Sequence, residues 1–146
     1  MSTDIVSPEA LAGPDERKRI LEEAKVIAVV GLSDNPWRPS HSVSEYMQDA
    51  GYEIIPVNPN RVGKTILEQQ VYASLLDIPK RVDIVNVFRP EQVTPPIAEQ
   101  AVAIGAKTLW LQLGIANDEA ARIASEGGLA VVMNRCISTE HGRLVY

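Results

Sequence analysis

The segment Val26-Ile27-Ala28-Val29-Val30 is apolar at every position and is closed by Gly31. A strand with one wet face alternates apolar and polar residues, whereas an unbroken β-branched run belongs to a strand covered on both faces, as at the centre of a parallel sheet. Four further strand-like segments follow, at residues 53–58, 82–88, 107–112 and 129–133. Helix punctuation fills the intervals. Pro14 suits the first turn of a helix through Ala24, and Ser40 or Ser42 can cap one that stops at Gly51. A third helix spans about residues 94–104 before Gly105, and Asn117 caps a fourth over residues 118–126. Strands alternating with helices pair in parallel through right-handed crossovers. The expected fold is therefore α/β, a doubly wound, mostly parallel five-stranded sheet of the Rossmann type. Pro56 cannot donate to a ladder, which puts the second strand at a sheet edge or end. Residues 64–79 read as irregular chain with a short helical turn at 74–77, and residues 134–146 as a closing tail. Residues 1–13 are expected to form a flexible leader and residues 14–146 a single domain, with no repeat or linker to divide it.

At 146 residues, 45% hydrophobic and 23% charged, the chain has the balance of one globular domain with a sizeable core. Its net charge of -5 opposes non-specific nucleic-acid binding, which needs a basic surface. Cys136 is the single cysteine, so no intramolecular disulfide can form and a reducing compartment is the natural setting. Residues 1–13 lack the basic stretch and apolar run of a secretory signal, and no apolar run is long enough to span a membrane. The cytoplasm is the expected location.

In doubly wound sheets, ligands lie outside the carboxyl ends of the strands, where strand order reverses. This rule selects residues 31–40, 58–64, 88–90 and 112–114. The first of these runs from Gly31 to Ser40 as a polar loop leading into a helix N-terminus, a setting that favours a phosphate. The dinucleotide fingerprint G-x-G-x-x-G is absent, since Gly31 stands alone, so an NAD-type pyrophosphate approach is disfavoured. Asp34 would repel a phosphate and is expected to point away. After the second strand, an NAD domain wants an acidic residue for the ribose hydroxyls; here the chain reads Asn58-Pro59-Asn60-Arg61, with Lys64 nearby. That pattern favours a nucleotide with an extra phosphate on its ribose, as in CoA and NADP. The plainer readings are a surface loop capped by Ser40 and solvated charges at Arg61 and Lys64. Phe88 could pack on an adenine or belong to the core, Arg89 could reach a phosphate or bond local carbonyls, and the Gln112 amide needs partners in ligand or backbone.

Five stretches in order carry a family resemblance: Gly31-Leu32-Ser33 with Pro36, Arg38 and Ser40; Pro56-Val57-Asn58-Pro59; Val82-Asp83-Ile84-Val85 with Val87-Phe88-Arg89; Trp110-Leu111-Gln112 with Gly114; and Met133-Asn134-Arg135-Cys136 with Glu140-His141. Over roughly residues 15–145 the chain resembles the small stand-alone CoA-binding domain proteins, which are similar in turn to the N-terminal domain of the succinyl-CoA synthetase alpha subunit. The resemblance implies a Rossmann-type domain that holds coenzyme A, free or acylated. Gly31, Leu32, Ser33, Asn35, Pro36, Arg38 and Ser40 would wrap the pyrophosphate; Asn58, Pro59 and Arg61 would sit near the phosphorylated ribose; Phe88, Arg89, Pro90, Gln112 and Leu113 would line the remaining wall. Asn134 departs from the family's more usual Asp, which removes the basis for an ion pair with Arg135 and leaves a hydrogen bond as its possible replacement.

No catalytic constellation emerges. Ser33 lacks a nucleophile-elbow context, His41 and His141 lack metal-ligand spacing, and the acidic pairs fall on solvated helix faces. Cys136 reads as a small, partly buried apolar residue, with Arg135 as the one argument for a reactive thiol. The expectation is a CoA-binding module without catalysis. Two alternatives stay open: an NADP-dependent oxidoreductase, for which Arg61 would serve a 2′-phosphate, and a regulatory docking domain with a vestigial nucleotide site.

Overall fold

In the computed structural model, residues 11–145 are described. Five helices, α1 (Pro14–Glu23), α2 (Pro39–Asp49), α3 (Thr94–Ala103), α4 (Asp118–Glu126) and α5 (Ile137–Leu144), alternate with seven strands. The strands are β1 (Val26–Val30), β2 (Glu53–Val57), β3 (Thr65–Ile66), β4 (Gln69–Gln70), β5 (Ile84–Val87), β6 (Thr108–Leu111) and β7 (Ala130–Val132). The main sheet has the order β2-β1-β5-β6-β7, and every pairing in it is parallel.

The pleat sends alternate residues into two cores. Ala28, Val30, Val85, Val87, Leu109 and Leu111 face α3 and α4, which close over them with Ala98, Ala101, Ala120, Ala121 and Ala124. Ile27, Val29, Ile84, Trp110 and Val132 face the other way, against Leu21 of α1, Met47 of α2 and Ile137 of α5. Burial on both faces is what the unbroken β1 run requires.

Pro56 does sit on an edge strand, and its geometry removes the lost hydrogen bond from consideration. Val57 turns its carbonyl toward β1, accepting from Gly31 N–H at 2.9 Å, while Pro56 turns outward and accepts from Tyr72 N–H at 3.0 Å. The missing N–H thus falls on the outer side, where a single parallel bridge from Val57 to Tyr72 covers the edge.

Three local expectations need correction. Ser40 does not cap α2: the N-cap is Arg38, without a side-chain bond, and Pro39 occupies the first turn. The closing tail contains a helix that its sequence did not announce, because residues 137–144 form α5, held by a buried ion pair described below. Within residues 64–79 there is a small antiparallel hairpin, β3 with β4, turned by Leu67 and Glu68 at positive φ, before the expected short helical turn at Leu75–Asp77. Most of the proposed leader, residues 1–10, lies outside the described residues. Its last part is packed, with Ala12 buried and its N–H donating to Val131 O at 2.9 Å.

Candidate functional site

β1 has β2 on one side and β5 on the other, so the chain order reverses at the carboxyl end of β1. Two hydrogen bonds knit the three strand ends together: Gly31 N–H to Val57 O, and Phe88 N–H to Val30 O, both 2.9 Å. Gly31 has φ +89, and a β-carbon there would stand 2.7 Å from Phe88 O and 3.0 Å from Arg89 Cδ. The glycine is required by the chain itself, before any ligand arrives.

Two clefts meet at Gly31. One, of about 390 Å³, opens toward β2 and α3 and is lined by Asn58, Pro59, Asn60, Arg89 and Gln100 among others. The second, of about 320 Å³, lies at the start of α2 between Ser33, Arg38, Pro39, Ser40 and Phe88. Each contains one guanidinium, and among the described residues neither Arg38 nor Arg89 has a side-chain hydrogen bond or ion pair.

The first-turn loop is braced by its own side chains. Ser40 Oγ accepts from Ser33 N–H, Ser33 Oγ from Asn35 N–H, and Asn35 Oδ1 from Trp37 N–H, all at 3.0 Å. Those amides are therefore taken, and His41 N–H bonds Arg38 O, so an anion here depends on side-chain cations more than the sequence suggests. Asn58 ties the loop to the end of β2: its Nδ2 donates to Leu32 O at 3.0 Å and its Oδ1 accepts from Asn60 N–H at 3.0 Å. Leu32 is wholly buried and lines neither cleft. Pro36 is exposed, and Trp37 beside it is 92% exposed.

Asp34 and Arg61 are paired with each other, and neither lines the two clefts. Asp34 Oδ2 accepts from Arg61 Nε at 2.8 Å, and Arg61 NH1 donates to Asn60 O at 3.0 Å. The expected binding loop and the expected ribose-side arginine are thus already joined to each other.

The far wall divides. Phe88 is half-buried and packs on the second core while lining the α2 cleft; Pro90 is exposed and begins a short 3-10 turn at Glu91–Val93. Gln112 is buried, and its Oε1 accepts from Ile137 N–H at 2.9 Å, which makes the amide a support for α5. Leu113 is 69% exposed. The sequence reading missed the α3 side of the larger cleft, where Val93, Pro96 and Ile97 supply apolar wall and Gln100 Oε1 accepts from Ser74 Oγ at 3.4 Å. A polar Gln100 in an alanine-rich helix that starts beside β5 was the available signal.

The family model described as "CoA binding domain" matches residues 25–142. This chain belongs to that family. YneT of Bacillus subtilis is 48% identical over 126 residues, spanning 86% of this chain and 92% of YneT. An ADP-forming acetate–CoA ligase II of Archaeoglobus fulgidus is 33% identical over 85 residues, which is 57% of this chain and 12% of the ligase. A solved protein structure from Pyrococcus horikoshii OT3 superposes with a TM-score of 0.88 at 36% identity, covering 100% of both chains.

In this CoA-binding domain, the remaining motif residues around β7 and α5 act on one another. Asn134 adopts φ +57, a left-handed conformation that asparagine tolerates, and its Oδ1 accepts from Gly114 N–H at 2.7 Å. Arg135 offers its carbonyl to Trp110 Nε1 at 2.8 Å and its guanidinium to Glu140 Oε2 at 3.8 Å. His141 meets Tyr46 OH at 3.1 Å and packs edge-on against Tyr46 and Tyr52. Cys136 is the N-cap residue of α5, 3.3 Å from Ser138 Oγ. Burial is the largest influence on its thiol and raises the pKa, but hydrogen bonds from Ser138, Thr139 and Gln112 together bring it down to about 7. Among the described residues, no helix is long and apolar enough to cross a membrane and no cluster of side chains could hold a metal ion.

Proposed function

We propose that this chain is a binding module for coenzyme A, free or acylated, and that the ligand lies across the carboxyl edge of the sheet with its pyrophosphate over Gly31. The observation that carries the reading is the pair of clefts meeting at Gly31, each with a guanidinium that has no anionic partner among the described residues. A pyrophosphate at the junction would draw on both, and charge-assisted bonds of this kind are the strong ones. The larger cleft takes the adenosine end, beside Asn58, Pro59 and Arg61. The pantetheine arm runs past Phe88 toward Gln112 and Leu113.

Membership of the CoA-binding domain family supports this choice over NADP, and so does the single glycine of the first turn. The side chains lining the two clefts are amides, hydroxyls, guanidiniums and apolar groups, which suits holding a ligand better than proton transfer. Thermal unfolding with CoA, NADP and NAD tests the reading. CoA at a hundredfold excess over its Kd should stabilise the native state by about 2.7 kcal/mol. A shift with NADP and none with CoA overturns the assignment.

A further inference from the structure

The ion pair between Asp34 and Arg61, which adjoins the larger cleft through Asn60, poses a problem for the ligand. A guanidinium meets a phosphate best with two parallel N–H groups along one edge. On Arg61, the edge that includes Nε holds Asp34 Oδ2 at 2.8 Å, and on the opposite edge NH1 is given to Asn60 O at 3.0 Å. The Asp34 carboxylate has no other hydrogen-bond donor among the described residues, and both side chains are partly exposed, at 40% for Arg61 and 46% for Asp34. It can swing into water without stranding a second group. We propose, resting on the CoA reading above, that Asp34 is a built-in competitor for the ligand's ribose phosphate: it occupies Arg61 in the free protein and is displaced when a phosphorylated ribose binds.

The charges decide who wins. A phosphate monoester carries roughly −1.5 to −2 charges at neutral pH against one on a carboxylate, so the phosphate displaces Asp34, but against an opposing attraction. A ligand whose ribose ends in a hydroxyl has nothing to displace it with and binds with the pair intact. Asp34 therefore weakens the binding of ligands phosphorylated on the ribose and spares those that are not.

The test measures CoA and dephospho-CoA, which lacks the ribose 3′-phosphate, by calorimetry on wild type, Asp34→Asn and Asp34→Ala. An exposed ion pair of this kind is weak, so removing the competitor should tighten CoA binding by about two- to fivefold. Dephospho-CoA should change by less than about twofold, and the gain for CoA should shrink as salt rises. If both variants weaken CoA, Asp34 orients Arg61 and the proposal is wrong. Equal changes for the two ligands, or none, also overturn it while leaving the CoA reading in place. If wild type binds neither ligand, the CoA reading falls and the proposal with it.

Discussion

A β-carbon built on Gly31 would stand 2.7 Å from the carbonyl oxygen of Phe88, closer than packed atoms allow. The contact joins the turn after β1 to the end of β5, the two segments between which the strand order reverses. Gly31 also has φ +89, where side chains are rarely tolerated. Backbone strain of that sort costs about 1–3 kcal/mol. Gly31→Ala should fall at the upper end, because the neighbour that must yield is main chain. Urea unfolding reads the loss directly, and CoA binding should weaken in step because both clefts share this turn. A variant with wild-type stability would show that the two loops can part without cost.

Arg17 and Glu140 form an ion pair at 2.7 Å across 123 residues of sequence, with side chains only 8% and 4% exposed. Arg17 also donates to Ala12 O, so one guanidinium ties α1, α5 and the segment before Pro14 together. Removing one partner of a buried pair leaves the other charge stranded, at a cost of about 3–5 kcal/mol. Glu140→Gln should show that loss in chemical denaturation, and the double variant Arg17→Met with Glu140→Leu should recover most of it. A double variant no better than the single one would mean that the pair is favourable in itself.

Long-range pairs of this kind mark the limit of what the sequence makes legible. The five parallel strands and α1 to α4 are written in local patterns: apolar runs, Pro14, the Asn117 cap and the glycines that stop helices. α5 is not. Its eight residues carry Ser, Thr, Glu, His, Gly and Arg, and what orders them is Gln112 on its first amide and Arg17 on Glu140, both remote in sequence. The site divides likewise. That Gly31, Asn58 and Arg89 border one place follows from the topology rule. Two roles do not follow: Ser40 spends its hydroxyl on Ser33 instead of on the helix, and Asp34 turns toward Arg61. Each depends on side-chain partners that spacing does not reveal.

Arg61→Ala tests where the phosphorylated ribose lies. A hydrogen bond to a charged group is worth about 1.5–3 kcal/mol, which alone would mean ten- to a hundredfold weaker CoA binding. Because Asp34 already holds the guanidinium at 2.8 Å, the net loss should be nearer about tenfold. Dephospho-CoA should hardly notice the substitution. Undiminished discrimination between the two ligands would move the ribose elsewhere.

Cys136 should titrate well below an ordinary thiol. Its pKa is lowered from 9.0 to about 7 although burial pushes it up, because hydrogen bonds from Ser138, from the backbone and side chain of Thr139 and from Gln112 outweigh the burial. Its place at the start of α5 adds the favourable end of a helix dipole. Since the thiolate is the nucleophile, the rate of alkylation by iodoacetamide should rise through about pH 7 and flatten before pH 9, instead of still climbing there. Ser138→Ala removes a bond at 3.3 Å and should move the midpoint upward. The same shift links to stability. A group whose pKa is lower in the folded state stabilises the fold above its unfolded value and loses that contribution as pH falls through the folded one. Wild type should thus lose stability relative to Cys136→Ser as the pH drops from about 9 to about 7. An alkylation midpoint near 9 in the folded protein, unmoved by Ser138→Ala, would show that these bonds do not hold the thiolate.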